Sequence, residues 1–218
     1  MCIRDRETNY KELNNYSNQV ANGLIELGCK PDTRIAYYGK NSDFFFEVLI
    51  GTLKSNTVTV GVNWRLAPPE VSYVLNDSES EVLFVGADFY PVIDQILEDL
   101  PKIKKVVAID GDHENYQDYI SWRNSQNSAN PEIKSSPNDD ILQLYTSGTT
   151  GHPKGVQLTN ENFAAANESI DGIVPFEEGS TNLVCMPGYH VAGTNWGIWG
   201  YIFAVSYTHL TLPTNTPV

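Results

Sequence analysis

Along the chain, apolar side chains recur at helical spacing in one stretch and at strand spacing in the next. Tyr10, Leu13, Val20, Leu24 and Leu27 fall at helical spacing, and Gly28 stands where such a helix would stop. Residues 33–38 read as a strand. Asn41 and Ser42 offer capping oxygens to a helix carrying Phe45, Val48, Leu49 and Thr52. Residues 57–62 alternate as a strand, and Pro68 and Pro69 open a helix through Val71, Val74 and Leu75. A strand at 81–85, a helix at 90–100 and a strand at 105–109 follow. This alternation predicts an α/β fold, a doubly wound and largely parallel sheet with flanking helices. Residues 125–140 turn to Ser, Asn, Pro and Asp, with Ile133 the only large apolar side chain, and read as a loop. Beyond it come strand-like runs at 141–145 and 156–158, a helix from about 160 to 171 and a strand at 181–186.

With 218 residues the chain can bury one good core. Its net charge of −13 excludes the basic surfaces that grip nucleic acid or anionic lipid. Cys2, Cys29 and Cys185 are scattered and form no metal spacing, which fits reduced thiols in the cytoplasm. The longest apolar run, 196–205, is too short to cross a bilayer and is broken by glycine, and no apolar stretch follows Met1 to make a secretory signal. The segment 110–115 looks like a calcium loop, but Asn115 and Ser121 fill positions that require Gly and Glu. His113 and His209 are set aside as members of no metal-binding or catalytic constellation.

The chemistry concentrates between the strands at 141–145 and 156–158. Thr146, Ser147, Thr149 and Thr150 offer hydroxyls, Gly148 and Gly151 permit close backbone approach, and Lys154 adds a positive charge. That inventory suits a polyphosphate. A Walker loop would need Ser or Thr after the lysine and a helix beyond it. Here Gly155 follows Lys154, and the next residues alternate as a strand. The loop therefore joins two strands, and a plain Gly/Thr hairpin is the bland alternative.

Tyr145-Thr-Ser-Gly-Thr-Thr-Gly-His-Pro-Lys-Gly-Val156 resembles the signature loop of the adenylate-forming, AMP-binding enzymes, which include acyl-CoA synthetases, luciferases and peptide-synthetase adenylation domains. Tyr10 through Gly28 resembles their opening helix, and Val60 through Val71 a core segment of fatty-acid-type members. The resemblance implies a truncated large N-terminal domain of such an enzyme. It assigns the β- and γ-phosphates of ATP to Thr146, Ser147, Gly148, Thr149, Thr150, Gly151 and Lys154, with Lys154 and Thr146 acting in catalysis. Cys185 through Gly197 resembles the acyl-pocket motif, with His190 and Gly193 against the carboxylate substrate. On the residues alone, His190 could equally satisfy backbone at a helix start, and Trp196, Trp199 and Tyr201 could line an acyl tunnel or fill core. His190 cannot offer the carboxylate with which amino-acid-activating members hold an amino group, so the resemblance favours an unaminated carboxylic acid, above all a fatty acid.

The implied reaction joins the acid to ATP, with Mg²⁺, and passes the acyl group to coenzyme A. Tyr38-Gly39 is not followed by the Thr-Glu of the family's Mg²⁺ segment, and no metal ligand is assigned. The ribose-binding segment, the hinge and the C-terminal domain are also missing, so the chain by itself is expected to be inactive. Residues 1–6 and 205–218 resemble translated sequencing-adapter read-through, which leaves 7–204 as the expected partial AMP-binding domain. A nucleotide-binding module without ligase chemistry and an amino-acid-activating domain stay open. A P-loop phosphotransferase is opposed by the missing Ser/Thr after Lys154.

Overall fold

The first helix shows how closely local chemistry sets the elements. Asn9 accepts from the Glu12 amide at 2.9 Å while the Glu12 carboxylate accepts from the Asn9 amide at 2.9 Å, a reciprocal cap. At the other end Gly28 takes φ +82, and the amides of Gly28 and Cys29 reach back to Ile25 and Leu24. This left-handed finish is strained for residues with a Cβ. The structure, a computed structural model, describes residues 2–3, 6–146, 151–170, 173, 180–202 and 207–210, with only the backbone at 2–3, 199–202 and 207–210.

In chain order the elements are β1 (Cys2–Ile3), β2 (Arg6–Glu7), α1 (Tyr10–Glu26), β3 (Arg34–Tyr38), α2 (Asp43–Ser55), β4 (Val58–Val62), α3 (Pro68–Asp77) and β5 (Val82–Val85). They continue with α4 (Tyr90–Ile96), β6 (Lys105–Ala108), β7 (Gln117–Asp118), α5 (Tyr119–Asn124), β8 (Asp140–Thr146), β9 (Lys154–Thr159), α6 (Asn160–Ile170), β10 (Thr181–Val184), α7 (Val191–Ile202) and β11 (Tyr207–Leu210). The main sheet has seven strands in the order β7-β6-β5-β3-β4-β8-β9, parallel except for the β8–β9 hairpin. A smaller sheet runs β10-β11-β1-β2.

The chain steps from β3 to β4 on one side and then crosses to β5 on the other side of β3. That reversal of direction at β3 is what puts α2 and α3 on opposite faces of the sheet. The core divides accordingly. Ile35, Tyr37, Phe84 and Leu142 pack with α1, α2 and α5, while Ala36, Tyr38, Leu83 and Val85 pack with α3 and α4. Strands covered on both faces are apolar throughout, as the burial of 35–38 and 82–85 shows. The expected doubly wound α/β arrangement is therefore present.

Two local expectations need correction. The helix expected over 90–100 ends at Ile96 and continues as a 3₁₀ turn, Leu97–Asp99. Leu100 precedes Pro101, and the proline ring drives it out of the helical region, to φ −115 and ψ 67. His113 does have an acidic neighbour. Its Nε2 lies 3.2 Å from Asp94 Oδ2, and its ring stacks on Tyr116 at a centroid distance of 3.8 Å. Asp94 comes from α4, too far back in sequence for spacing to reveal the pair.

The short helix α5 carries no legible period in the sequence, yet it ties the core. Arg123 Nη1 and the Tyr119 hydroxyl both donate to Glu47 Oε2 of α2, at 2.6 and 2.7 Å. The side chains of Arg123 and Glu47 are only 7% and 1% exposed. No helix among the described residues is long and apolar enough to cross a membrane.

Candidate functional site

The β8–β9 register sets Thr146 opposite Lys154 and Tyr145 opposite Gly155, so Thr146 and Lys154 frame the mouth of the loop between them. Both are exposed. Gly151 lies in the loop at φ +147, and Ser147, Gly148, Thr149 and Thr150 lie outside the described residues. Lys154 forms no ion pair among the described residues, which leaves its ammonium available to an anion. Because β8 runs parallel to β4, the loop opens at the carboxyl edge of the sheet, where open α/β sheets hold ligands.

Helix α3 braces the base of this hairpin. The Tyr73 ring stacks on His152 at 4.6 Å, and its hydroxyl donates to the Pro153 carbonyl at 3.2 Å. Tyr145 donates to Asp77 Oδ2 at 2.6 Å and accepts from Gln143 Nε2 at 3.0 Å. Burial, then the Asp77 carboxylate, pushes the Tyr145 phenol far above its ordinary range, so it stays a neutral strut and not a base.

The second segment leaves β10 and enters α7. Gly188 and Tyr189 line one narrow crevice with Gly39, Lys40 and Asn41 beyond β3 and with Gly61 and Val62 of β4. The turn therefore sits over the same carboxyl edge as the loop after β8. His190 stands just before α7. Its Nδ1 accepts from the Ala192 amide at 3.2 Å, and its carbonyl accepts from the amides of Gly193 and Thr194 at 2.9 and 3.1 Å. Both readings of His190 thus have a place, since capping uses one ring nitrogen only. With Nδ1 as acceptor, the neutral ring carries its proton on Nε2. That N–H, in an exposed ring beside the positive end of α7, suits a carboxylate oxygen.

Gly193 is needed for a close approach. A Cβ there would lie 2.2 Å from the Pro187 carbonyl oxygen and 2.6 Å from that of Met186. Gly193→Ala is expected to displace the first turn of α7 and lower stability by about 1–3 kcal/mol. Urea unfolding checks this, and a midpoint equal to the wild type would contradict it. Trp196 packs partly buried against the apolar layer of α1 and α2, as core. The side chains of Trp199, Tyr201 and His209 lie outside the described residues.

Three contributors escaped the sequence: Asn41, Tyr73 and Asp77. One signal did exist. Asn41 and Ser42 are adjacent capping residues before one helix, and only one is needed. Ser42 Oγ takes the cap, accepting from the Phe44 amide at 3.2 Å, and Asn41 turns to the segment at 186–188. No group of three or more His, Cys, Asp or Glu that could hold a metal ion occurs among the described residues.

A family model described as AMP-binding enzyme matches residues 1–216. A fatty acid–[acyl-carrier-protein] ligase of Streptomyces coeruleorubidus is 38% identical over 197 residues, 88% of this chain and 36% of the relative. A long-chain-fatty-acid–CoA ligase of Mycobacterium tuberculosis is 34% identical over 189 residues, 86% of this chain and 37% of the relative. The chain thus spans little more than a third of the length of these curated relatives. The inhibitor-bound N-terminal domain of FACL13 from Mycobacterium tuberculosis superposes with a TM-score of 0.88 at 29% identity, over 97% of this chain and 52% of that one. An anthranilate CoA ligase in complex with anthranoyl-AMP gives 0.87 at 26% identity, over 96% of this chain and 41% of that one.

Proposed function

Since the chain belongs to the AMP-binding enzyme family, we propose that the protein containing it activates a carboxylic acid, foremost a fatty acid, with ATP and transfers the acyl group to coenzyme A. One observation carries this reading. The Thr146–Lys154 loop and the His190 turn meet the same carboxyl edge of one parallel sheet. A carboxylate oxygen attacks the α-phosphorus, the α–β phosphoanhydride breaks, and pyrophosphate leaves with the electron pair. The thiol sulfur then attacks the acyl carbon, the bond to AMP breaks, and the thiol proton passes to solvent.

The obstacle is charge. Two like charges about 4 Å apart repel by about 1 kcal/mol in water and about 4 kcal/mol at a protein-like dielectric. Lys154, opposite Thr146, neutralises the phosphates and the charge that builds on leaving pyrophosphate. Thr146, with Ser147, Gly148, Thr149, Thr150 and Gly151, supplies hydroxyl and amide donors to the phosphate oxygens. The His190 Nε2–H and the start of α7 hold the acid's carboxylate, and Gly193 lets that turn close. Mg²⁺ would screen the nucleotide's phosphates; no residue of this chain is assigned to hold it, and no step here passes through it. Cys29 and Cys185 are free thiols, in keeping with a reducing cytoplasm.

A second reading concerns the acceptor. The 38%-identical relative is named for an acyl-carrier protein, which favours a carrier thiol in place of coenzyme A. The test is acid-dependent exchange of labelled pyrophosphate into ATP across fatty, aromatic and amino acids, followed by thiol acceptors. Exchange with fatty acids and thioester formation on coenzyme A support the reading. ATP binding without exchange would leave only a nucleotide-binding module. For His190→Ala, we expect the KM for the acid to rise on the order of tenfold, the loss of about one charge-assisted bond, with the KM for ATP nearly unchanged. An equal rise for both substrates would count against the assignment.

A further inference from the structure

Asn41 has both of its amide atoms committed to one distant turn. Its Nδ2–H donates to the Met186 carbonyl at 2.8 Å, and its Oδ1 accepts from the Gly188 amide at 2.8 Å. A carbonyl on one side and an N–H on the other leave no ambiguity about which way the amide points. The residue is 7% exposed. Thr194 Oγ1 donates to the Gly188 carbonyl at 2.6 Å, so both backbone polar groups of Gly188 are held by side chains. Two residues on, His190 stands just before α7. Asn41 itself lies just beyond the carboxyl end of β3, the strand about which the sheet's winding reverses.

From this geometry we infer that Asn41 is a positioning residue for the acid subsite. It fixes the 186–188 turn to the rigid sheet and so fixes the direction of His190. It touches no reacting atom. The inference rests on the acid-activating reading of the His190 turn. Because Asn41 acts through His190, its loss should cost no more than the loss of that side chain. Asn41→Ala is therefore expected to lower kcat/KM for the acid by up to about tenfold and to leave the KM for ATP within about twofold.

Asn41→Asp gives a readout that general destabilisation would not. A protonated aspartic acid reproduces both bonds, because its O–H donates to Met186 and its C=O accepts from Gly188. The ionised form loses the donor and sets negative charge against the Met186 carbonyl. Activity of Asn41→Asp, relative to wild type at each pH, should therefore recover as pH falls from 8 to 5.5. The charged and titratable groups around the position are few. Tyr37 is held neutral because burial drives its phenol far upward, Lys40 pairs with Asp88, and Asp43 pairs with Arg6. Tyr189 shares the crevice, and His190 follows on the same turn, so wild type at the same pH is the control.

The experiment uses the full-length native enzyme and pairs pyrophosphate exchange with amide hydrogen exchange at Gly188. Expected are at least tenfold faster exchange of the Gly188 amide in Asn41→Ala, a KM defect confined to the acid, and acid-pH rescue of Asn41→Asp. Wild-type protection of Gly188 in Asn41→Ala overturns the inference alone. So does an equal defect for acid and ATP, or a pH-independent loss in Asn41→Asp. Absence of acid-dependent exchange in the wild type overturns the functional reading, and with it the acid-binding role, while Gly188 protection still decides whether Asn41 fixes the turn.

Discussion

Lys154→Ala is expected to slow acid-dependent pyrophosphate exchange by about 100- to 1,000-fold, the scale for removing one preorganised donor aimed at developing charge. Thiolysis of separately supplied acyl-adenylate should stay nearly unchanged, because pyrophosphate has left before that step. Lys154 is the only cation between Tyr145 and Leu158. The β8–β9 register sets it across from Thr146 at the mouth of the loop, exposed and unpaired among the described residues. An ammonium in that place is worth most when the phosphates carry most charge, as the anhydride breaks. Lys154→Arg should retain part of the rate, since the charge survives while its point geometry does not. Exchange within twofold of wild type in Lys154→Ala would remove the residue from the first half-reaction. An equal loss in the two half-reactions would contradict a role specific to the departure of pyrophosphate.

Arg123→Met is expected to have the largest effect on stability, a loss of about 3–5 kcal/mol at pH 8. The guanidinium is the counter-charge of Glu47 and lies 3.7 Å from the centre of the Tyr16 ring. Burial pushes the Glu47 carboxyl up, against the opposing pull of Arg123 and Tyr119. Removing Arg123 takes away much of that pull, so the carboxyl rises further. A carboxyl whose folded value lies above its unfolded one binds its proton more tightly in the folded state. Stability therefore increases as pH falls, and the Arg123→Met deficit should shrink between pH 8 and pH 5. Urea midpoints at the two pH values measure it. The double replacement Glu47→Leu with Arg123→Met should recover much of the loss, because no buried charge is then left unpaired. A deficit independent of pH would assign the loss to packing around Tyr16 and not to Glu47.

The damage from that pair would reach the site through α2. Glu47 lies on the helix whose Phe45 lines the crevice with Gly188 and whose Phe46 belongs to the same apolar layer as Ile198 of α7. The helix that carries the buried carboxylate thus also forms the floor under the proposed acid subsite. Loosening it is expected to raise the KM for the acid before that for ATP.

Elements set by local interactions were legible in the sequence. The apolar stripe and terminal Gly28 marked α1, and Pro68 and Pro69 marked the start of α3, whereas the strand expected from alternation at 57–62 is buried along all of Val58–Val62. The hairpin around Tyr145 to Val156 was legible too, because Gly155 after Lys154 and the alternation beyond it pointed to a loop joining two strands, as β8 and β9 are. Tertiary structure decided whatever depends on partners distant in the chain. It gave Asn41 the turn at 186–188, since a side-chain amide is satisfied by whichever backbone groups the fold brings near, and no spacing encodes that over 145 and 147 residues. It found Asp94 for His113 and Arg123 for Glu47 for the same reason. It also stood Tyr73 and Asp77 against the β8–β9 hairpin, where a helix face meets a hairpin only after the chain has crossed the sheet. Periodicity records which face of an element is buried, whereas the identity of the group across that face is fixed by the winding order of the strands.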